Sequence, residues 1–292
     1  MNLEAMHSEL NVLPEFTYTP RSQLRSPKRL LAAIWQGVWQ GRELAWRLFV
    51  RDFSSRYRES FLGILWVIIP TLVVSVCFIA LRAQGILQVR ATEVSYPIYV
   101  LVGMMLWRIF TEALNAPRGA IAKAKATLSR IGFPWEALVV SALYQVVFGA
   151  LVGFTVILGI LFFLGVPIPL AVFWAPMTIL SLILLGLAIG LVLASVGMIY
   201  EDVFQFLSLI LPLWFFLTPV IYPPPLTFPF SLAVHLNPVS PLLIATRDLV
   251  TRGHVTDPIH FLIVSALSVI GFCVGLVFFR LSIPVVIRRM GA

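Results

Sequence analysis

The sequence predicts an all-α polytopic membrane protein with six transmembrane helices. An N-terminal amphipathic interface helix and short re-entrant helices between spans 5 and 6 complete it. Three observations carry that class. Of 292 residues, 60% are hydrophobic and only 12% charged, about half the ~25% charge of a soluble domain. The mean hydropathy is +0.96. Basic residues gather at the ends of apolar runs, which suits a membrane better than a nucleic-acid surface, despite a net charge of +8. Together these exclude a disordered chain, a water-soluble globule and a fibrous protein.

Residues 1–28 form a polar tail. Residues 29–58 combine an amphipathic helix, expected over 29–50, with a basic segment before the first span. Arg29, Gln36, Gln40, Glu43 and Arg47 make its polar stripe; Leu31, Ile34, Trp35, Val38, Ala45, Trp46 and Phe49 make its apolar one. Trp and Leu opposite Arg suit a helix lying in the membrane interface. A helix packed on the bundle is the other reading. The membrane domain covers 59–282, and 283–292 is a tail.

A span needs ~20 apolar residues to cross the ~30 Å hydrocarbon core. Span 1 is 61–81, bounded by Glu59 and Arg82; its start is too late for a cleaved signal peptide. Span 2 is about 94–115, with Arg108 and Glu112 in its last turns. Glu136 and Glu201 then bracket 64 residues without a Lys, Arg, Asp or Glu. That length holds spans 3 and 4, about 137–164 and 171–199, with Gly165-Val166-Pro167 as the turn. Span 5 is about 203–222, ending at Pro223-Pro224-Pro225, and span 6 about 259–279. The loop 117–134 holds a short basic helix over 121–130. The segment 223–257 holds a helix over 241–250 and is apolar enough to dip back into the bilayer edge.

Charge sets the orientation. Sixteen Lys/Arg lie before span 1, between spans 2 and 3 and in the tail, against four (Arg82, Arg90, Arg247 and Arg252) on the other side. By the positive-inside rule both termini are cytoplasmic.

Catalytic signatures are missing from the sequence. It has no Walker A loop, no G-x-S-x-G elbow, and its four histidines lack metal-ligand spacing. Catalytic and metal-ligating residues are therefore expected to be none. Cys77 and Cys273 lie in apolar runs and read as packing residues. Arg108 and Glu112, at i and i+4, are expected to pair at the cytoplasmic end of span 2, with Arg108 reaching to the interface. The many span aromatics divide between belt, core and conduit, and spacing does not separate these.

One run is more specific: Arg51-Asp52-Phe53-Ser54-Ser55-Arg56-Tyr57-Arg58-Glu59-Ser60-Phe61-Leu62-Gly63-Ile64-Leu65-Trp66. With Tyr200-Glu201-Asp202-Val203, the run from Leu213 to Pro223, and Asn237-Pro238 followed by a helix carrying Arg247, it resembles the permease subunit of polysaccharide ABC exporters. These ABC-2 proteins move O-antigen, capsule or teichoic acid chains on lipid carriers. The likeness spans about 40–280.

The resemblance implies half of a transporter in a bacterial inner membrane. Two copies would pair, and two separate ATP-binding cassette subunits would supply ATP and Mg; this chain would hold no cofactor. Spans 1 and 5 would line the conduit, making Trp66, Trp214, Phe215, Phe216 and Tyr222 candidate walls. Contacts to the ATPase would fall on 121–130 (Ile121, Lys123, Lys125, Arg130) and on 200–204 (Glu201, Asp202). Arg51, Arg56 and Arg58 are candidates for the substrate's pyrophosphate, each worth ~1 kcal/mol toward a surface charge, or simply for anchoring span 1. Leu62 and Gly63 would form the pore mouth, glycine allowing close backbone approach. The rival readings are an ABC-2 permease for a drug or lipid, a membrane enzyme of polyprenyl-sugar metabolism, and a scaffold.

Overall fold

The computed structural model describes residues 27–58, 61–92, 94–128, 135–200, 202–225, 227–228 and 230–290. Among these residues every regular element is helical. In chain order they are α1 Pro27–Tyr57, a 3₁₀ turn Gly63–Val67, α2 Ile69–Ala83, α3 Tyr96–Leu128 and α4 Trp135–Phe163. A second 3₁₀ turn Leu170–Trp174 leads into α5 Ala175–Gly197. Then come α6 Asp202–Leu217, α7 Phe230–Leu236, α8 Val239–Thr251 and α9 Pro258–Met290.

Among the described residues, four stretches are long and apolar enough to cross a membrane: Tyr96–Ala122, Trp135–Phe163, Leu170–Gly197 and Pro258–Ile283. The helices expected as spans 1 and 5 are shorter. The first is interrupted because Gly63 takes a positive φ of 49°, the chain tightens into 3₁₀, and the helix restarts with a proline in its first turn. The second ends at Leu217 because Thr218 precedes Pro219, and proline disfavours the helical region for the residue before it. Span 2 is longer than expected. The loop placed at 117–134 is helical as far as Leu128, and the helix runs through a buried Pro117. Arg108 consequently sits near the middle of the apolar stretch rather than in its last turns.

Small residues set the packing, as they do where lipid gives helices no hydrophobic reason to associate. At the centre, α5 brings Gly186 and Gly190 against the α3 backbone at Phe110 and Leu114. On its other side Gly271 and Gly275 of α9 approach Ala188 and Leu191. Buried hydroxyls add two ties: Thr246 donates to Thr178 Oγ1 at 2.8 Å, and Ser181 and Ser265 share a bond of 2.6 Å. In α4, Gly149 and Gly153 open a notch that receives Glu112, Arg108 and Met105 of α3.

That notch explains the intramembrane ion pair. Arg108 Nη1 donates to Glu112 Oε1 at 2.5 Å, as the i, i+4 spacing predicts, and Nη2 donates across the interface to Gly149 O at 3.0 Å. The guanidinium therefore turns onto α4 rather than reaching for a helix end.

Helix α1 runs beside and parallel to the first half of α4. Gly37 abuts Glu136 and Gly41 abuts Ala137; further along, Phe49 meets Tyr144 and Phe53 stacks edge-on against Phe148 at 4.8 Å. Gly41, Ala45 and Phe49 are buried, whereas Trp35, Trp39 and Trp46 of the same helix stay exposed. The buried face packs along α4, as the bundle-packed reading of this helix expects. At the same corner Arg280 Nη1 of α9 lies 2.8 Å from Glu136 Oε1. That ion pair is close in distance but off the hydrogen-bonding direction.

Candidate functional site

Two regions at opposite ends of the bundle gather the residues that the sequence motifs single out. The first is the basic end, where α3 and α5 finish and α4 and α6 begin. Ile121 packs half-buried with Trp135, Val139, Leu191 and Phe279, so it joins the end of α3 to α4, α5 and α9. Lys123 and Lys125 lie on α3. Arg130 and Glu201 fall outside the described residues. Asp202 opens α6 and is exposed, and a carboxylate there suits the positive end of the helix dipole.

A joint that spacing did not reveal connects the two candidate ATPase contacts. The Phe204 ring of α6 lies flat on Gly197, the last residue of α5, where a Cβ would meet ring carbons at 2.6 and 2.8 Å. The Arg118 guanidinium of α3 covers that ring at 4.3 Å. A cation over a benzene ring contributes ~0.5–2 kcal/mol, depending on solvent. The ends of α3, α5 and α6 are thereby tied at one point.

On the same α1 helix, Arg51 is exposed and pairs with Asp52 at 3.0 Å, whose other oxygen accepts from Gln145 Nε2 of α4 at 3.4 Å. Arg56 and Arg58 are exposed at its end. Leu62 and Gly63 follow, and Trp66 is exposed on the 3₁₀ turn. Gly63 takes a φ of 49°, which favours glycine, and within the chain a Cβ there would meet nothing within 4 Å.

The second region is the turn leaving α6. The predicted aromatics separate here. Trp214 faces inward, edge-on to Phe110 at 5.2 Å and to Trp107 at 6.5 Å. Phe215 is half-buried against Trp107 and Phe78. Phe216 is exposed, and together with Phe206, Leu209 and Leu213 it forms an uncovered stripe along α6. The Tyr222 hydroxyl donates to Phe216 O.

The two motifs that lie farthest along the chain meet at this turn. Asn237 stands between α7 and α8 and is buried. Its Oδ1 accepts from Trp214 Nε1 and from Val239 N, both at 3.0 Å, while its Nδ2 donates to Thr218 Oγ1 at 2.8 Å. Arg247 of α8 is 4% exposed, so it cannot be the surface charge counted for topology. Its Nη2 donates to Pro219 O and Val220 O, each at 3.0 Å, and its guanidinium lies 3.7 Å over the Tyr99 ring. The Tyr99 hydroxyl donates to Tyr222 O at 2.9 Å. Gly103, one turn further along α3, leaves the room: a Cβ there would sit 2.5 Å from Arg247 Nη2. Burial pulls the Arg247 pKa below the usual arginine value, and Tyr99 and Asp248 act against that. In the sequence Asn237 stands out only as a motif member, and Arg247 only as a motif member and an outer-face charge. The available signal was an Arg-Asp pair inside the apolar face of a predicted helix.

Comparison with known proteins places this geometry. The family model described as ABC-2 type transporter matches residues 43–250. The O-antigen export system permease protein RfbA of Myxococcus xanthus is 28% identical over 241 residues, covering 80% of this chain and 90% of that protein. The RfbA protein of Klebsiella pneumoniae, with the same description, is 24% identical over 206 residues, covering 70% and 78%. The polysialic acid transport protein KpsM of Escherichia coli is 23% identical over 242 residues, covering 80% and 91%.

Proposed function

The chain belongs to the ABC-2 type transporter family, and from that premise we propose that it is the permease subunit of an ATP-driven exporter of a lipid-linked, O-antigen-like polysaccharide. The observation that carries the reading is the match over most of the chain to relatives named for O-antigen and polysialic acid export. Those names favour a glycan over a drug or simple lipid.

In this reading the chain crosses a bacterial inner membrane six times with both termini cytoplasmic. The 3₁₀ turn and α2 act together as span 1: five residues at ~2.0 Å and fifteen at ~1.5 Å reach ~32 Å, the thickness of the hydrocarbon core. Span 5 is α6 with the turn after it. Helices α7 and α8 form the re-entrant outer segment, and α1 starts at the cytoplasmic end and packs along α4 with Trp35, Trp39 and Trp46 toward lipid.

Two copies pair to enclose one conduit. The apolar faces that α2 and α6 leave uncovered support this, since a second copy and the substrate would cover them. The wall is then Trp66 and the stripe Phe206, Leu209, Leu213 and Phe216, while Trp214 and Phe215 support it from behind. Sugar rings slide on such surfaces through their apolar C–H faces. Arg51, Arg56 and Arg58 gather the pyrophosphate head group beside the mouth at Leu62 and Gly63. Two separate ATPase subunits hold ATP and Mg and press on 121–130 and 200–204. The joint at Phe204 passes that push to α3, α5 and α6 together.

Deletion of the chain tests the reading. Polymer should remain on its lipid carrier inside the cell and return to the surface on complementation. Normal surface polymer in the deletion strain would exclude it.

A further inference from the structure

The exposed stripe of α6 faces outward only while the helix keeps its rotation. Successive residues on a helix are 100° apart, so a turn of one residue would bury Leu213 and expose Trp214. Leu207, Leu211, Trp214 and Phe215 hold the inner face of the helix against the core, but the rest of its length is loosely held. Pro212 removes a backbone donor, and Ser208, Leu209 and Leu213 have no cover. The helix ends supply the remaining restraint on its rotation. Phe204 fixes the first.

At the other end the contacts form a closed circuit. From Trp214 it passes to Asn237, which also orders the start of α8 through Val239 N. Two turns along α8, Arg247 reaches back to the carbonyls of Pro219 and Val220 in the turn that follows α6. Tyr99 of α3 lies under the guanidinium and holds Tyr222 O. Pro219 and Val220 are buried, and a buried polar group without a partner is costly. One guanidinium holds both while stacking on a ring, which a lysine ammonium does not reproduce.

We propose that Arg247 is a positioning residue for export: by locking the turn 218–222 to α3 and α8, it sets the rotation of α6 and so chooses which of its residues form the conduit wall. The inference rests on the conduit reading of α6. It implies that the turn stays clamped during transport, and that the outer segment moves together with the outer half of α3 instead of unwinding at Pro219.

The test uses the full chain with its ATPase partner, in a background with Cys77 and Cys273 changed to serine. Single cysteines are placed at Leu213, which is exposed, and at Leu207, which is buried. Both are labelled with a membrane-impermeant maleimide, and surface polymer is measured in parallel. With Arg247 in place, Leu213→Cys should label at least tenfold faster than Leu207→Cys. Arg247→Ala should bring the two rates within about threefold and lower surface polymer at least tenfold, with Arg247→Lys no better. An unchanged labelling ratio in Arg247→Ala would overturn the proposal. Should that variant be degraded, Tyr99→Phe serves, since it removes the hydroxyl that faces Tyr222 O at 2.9 Å and Pro219 O at 3.4 Å and keeps the ring. It should lower the ratio at least twofold, and no change would again overturn the proposal. Absence of labelling at both positions with Arg247 intact would instead defeat the conduit reading, and this inference with it.

Discussion

Replacing Gly190 with alanine drives a methyl group into the backbone of α3. The added Cβ would collide with Leu114 O and lie 3.0 Å from Leu114 C. At Gly186 it would lie 2.6 Å from Ala113 Cβ and 2.8 Å from Phe110 O. None of these atoms is the end of a flexible side chain, so the helices themselves must part. Regaining an ordinary contact requires a shift of roughly 0.5–1 Å along much of the α3–α5 interface, in an interior packed as densely as a crystal. Overpacking of this kind costs about 1–3 kcal/mol per site. For a chain of this size that corresponds to a fall in Tm of roughly 2–5 °C. Gly159 in α4 supplies the control, because a Cβ there meets nothing within 4 Å. Alanine at 159 should be neutral or stabilising by about 0.5–1 kcal/mol, from helix propensity. Thermal unfolding of the purified chain in detergent, followed by tryptophan fluorescence, separates the two. Equal Tm values for Gly190→Ala and Gly159→Ala would refute the claim that small residues set this bundle.

Other outcomes follow from the same contacts. Glu112→Ala leaves Arg108, whose side chain is 12% exposed, without its carboxylate. It should destabilise by about 1–2 kcal/mol, less than the ~3–5 of a fully buried pair because Glu112 is more open; denaturation in detergent measures it. Phe204→Ala should reduce polymer exported per ATP several-fold in the reconstituted complex. Arg118→Gln combined with it should add little, because both act through one contact. Arg56→Ala with Arg58→Ala should lower surface polymer while membrane content of the chain is unchanged; normal surface polymer would assign these residues to anchoring alone. Asp202→Lys places a cation at the positive end of α6 and should weaken substrate-stimulated ATP hydrolysis, read by phosphate release.

Hydropathy alone reveals the long spans, because α5 and all of α4 beyond Glu136 lie in a stretch without a single Lys, Arg, Asp or Glu and α9 is nearly as apolar. It misplaces the C-terminal end of α3. A helix that continues past Arg108 and Pro117 looks interrupted in sequence, and only the notch at Gly149 and Gly153 shows how the arginine is accommodated. The motif at Asn237 and Arg247 was visible as a pattern. Its purpose was not, since both reach back to an earlier turn of the chain, and side-chain periodicity carries no information about such closure. Likewise the aromatic run 214–216 reads as one feature. A helix places successive residues on different faces, and so only Phe216 of the three stays uncovered.

The most direct measurement is made in sealed vesicles that contain the purified chain, its ATPase partner and a polyprenyl-linked glycan on the ATPase side. On adding ATP and Mg, glycan should appear on the opposite side at a rate that vanishes when the chain is omitted. Equal appearance without the chain, or ATP turnover by the chain alone, would contradict the assignment.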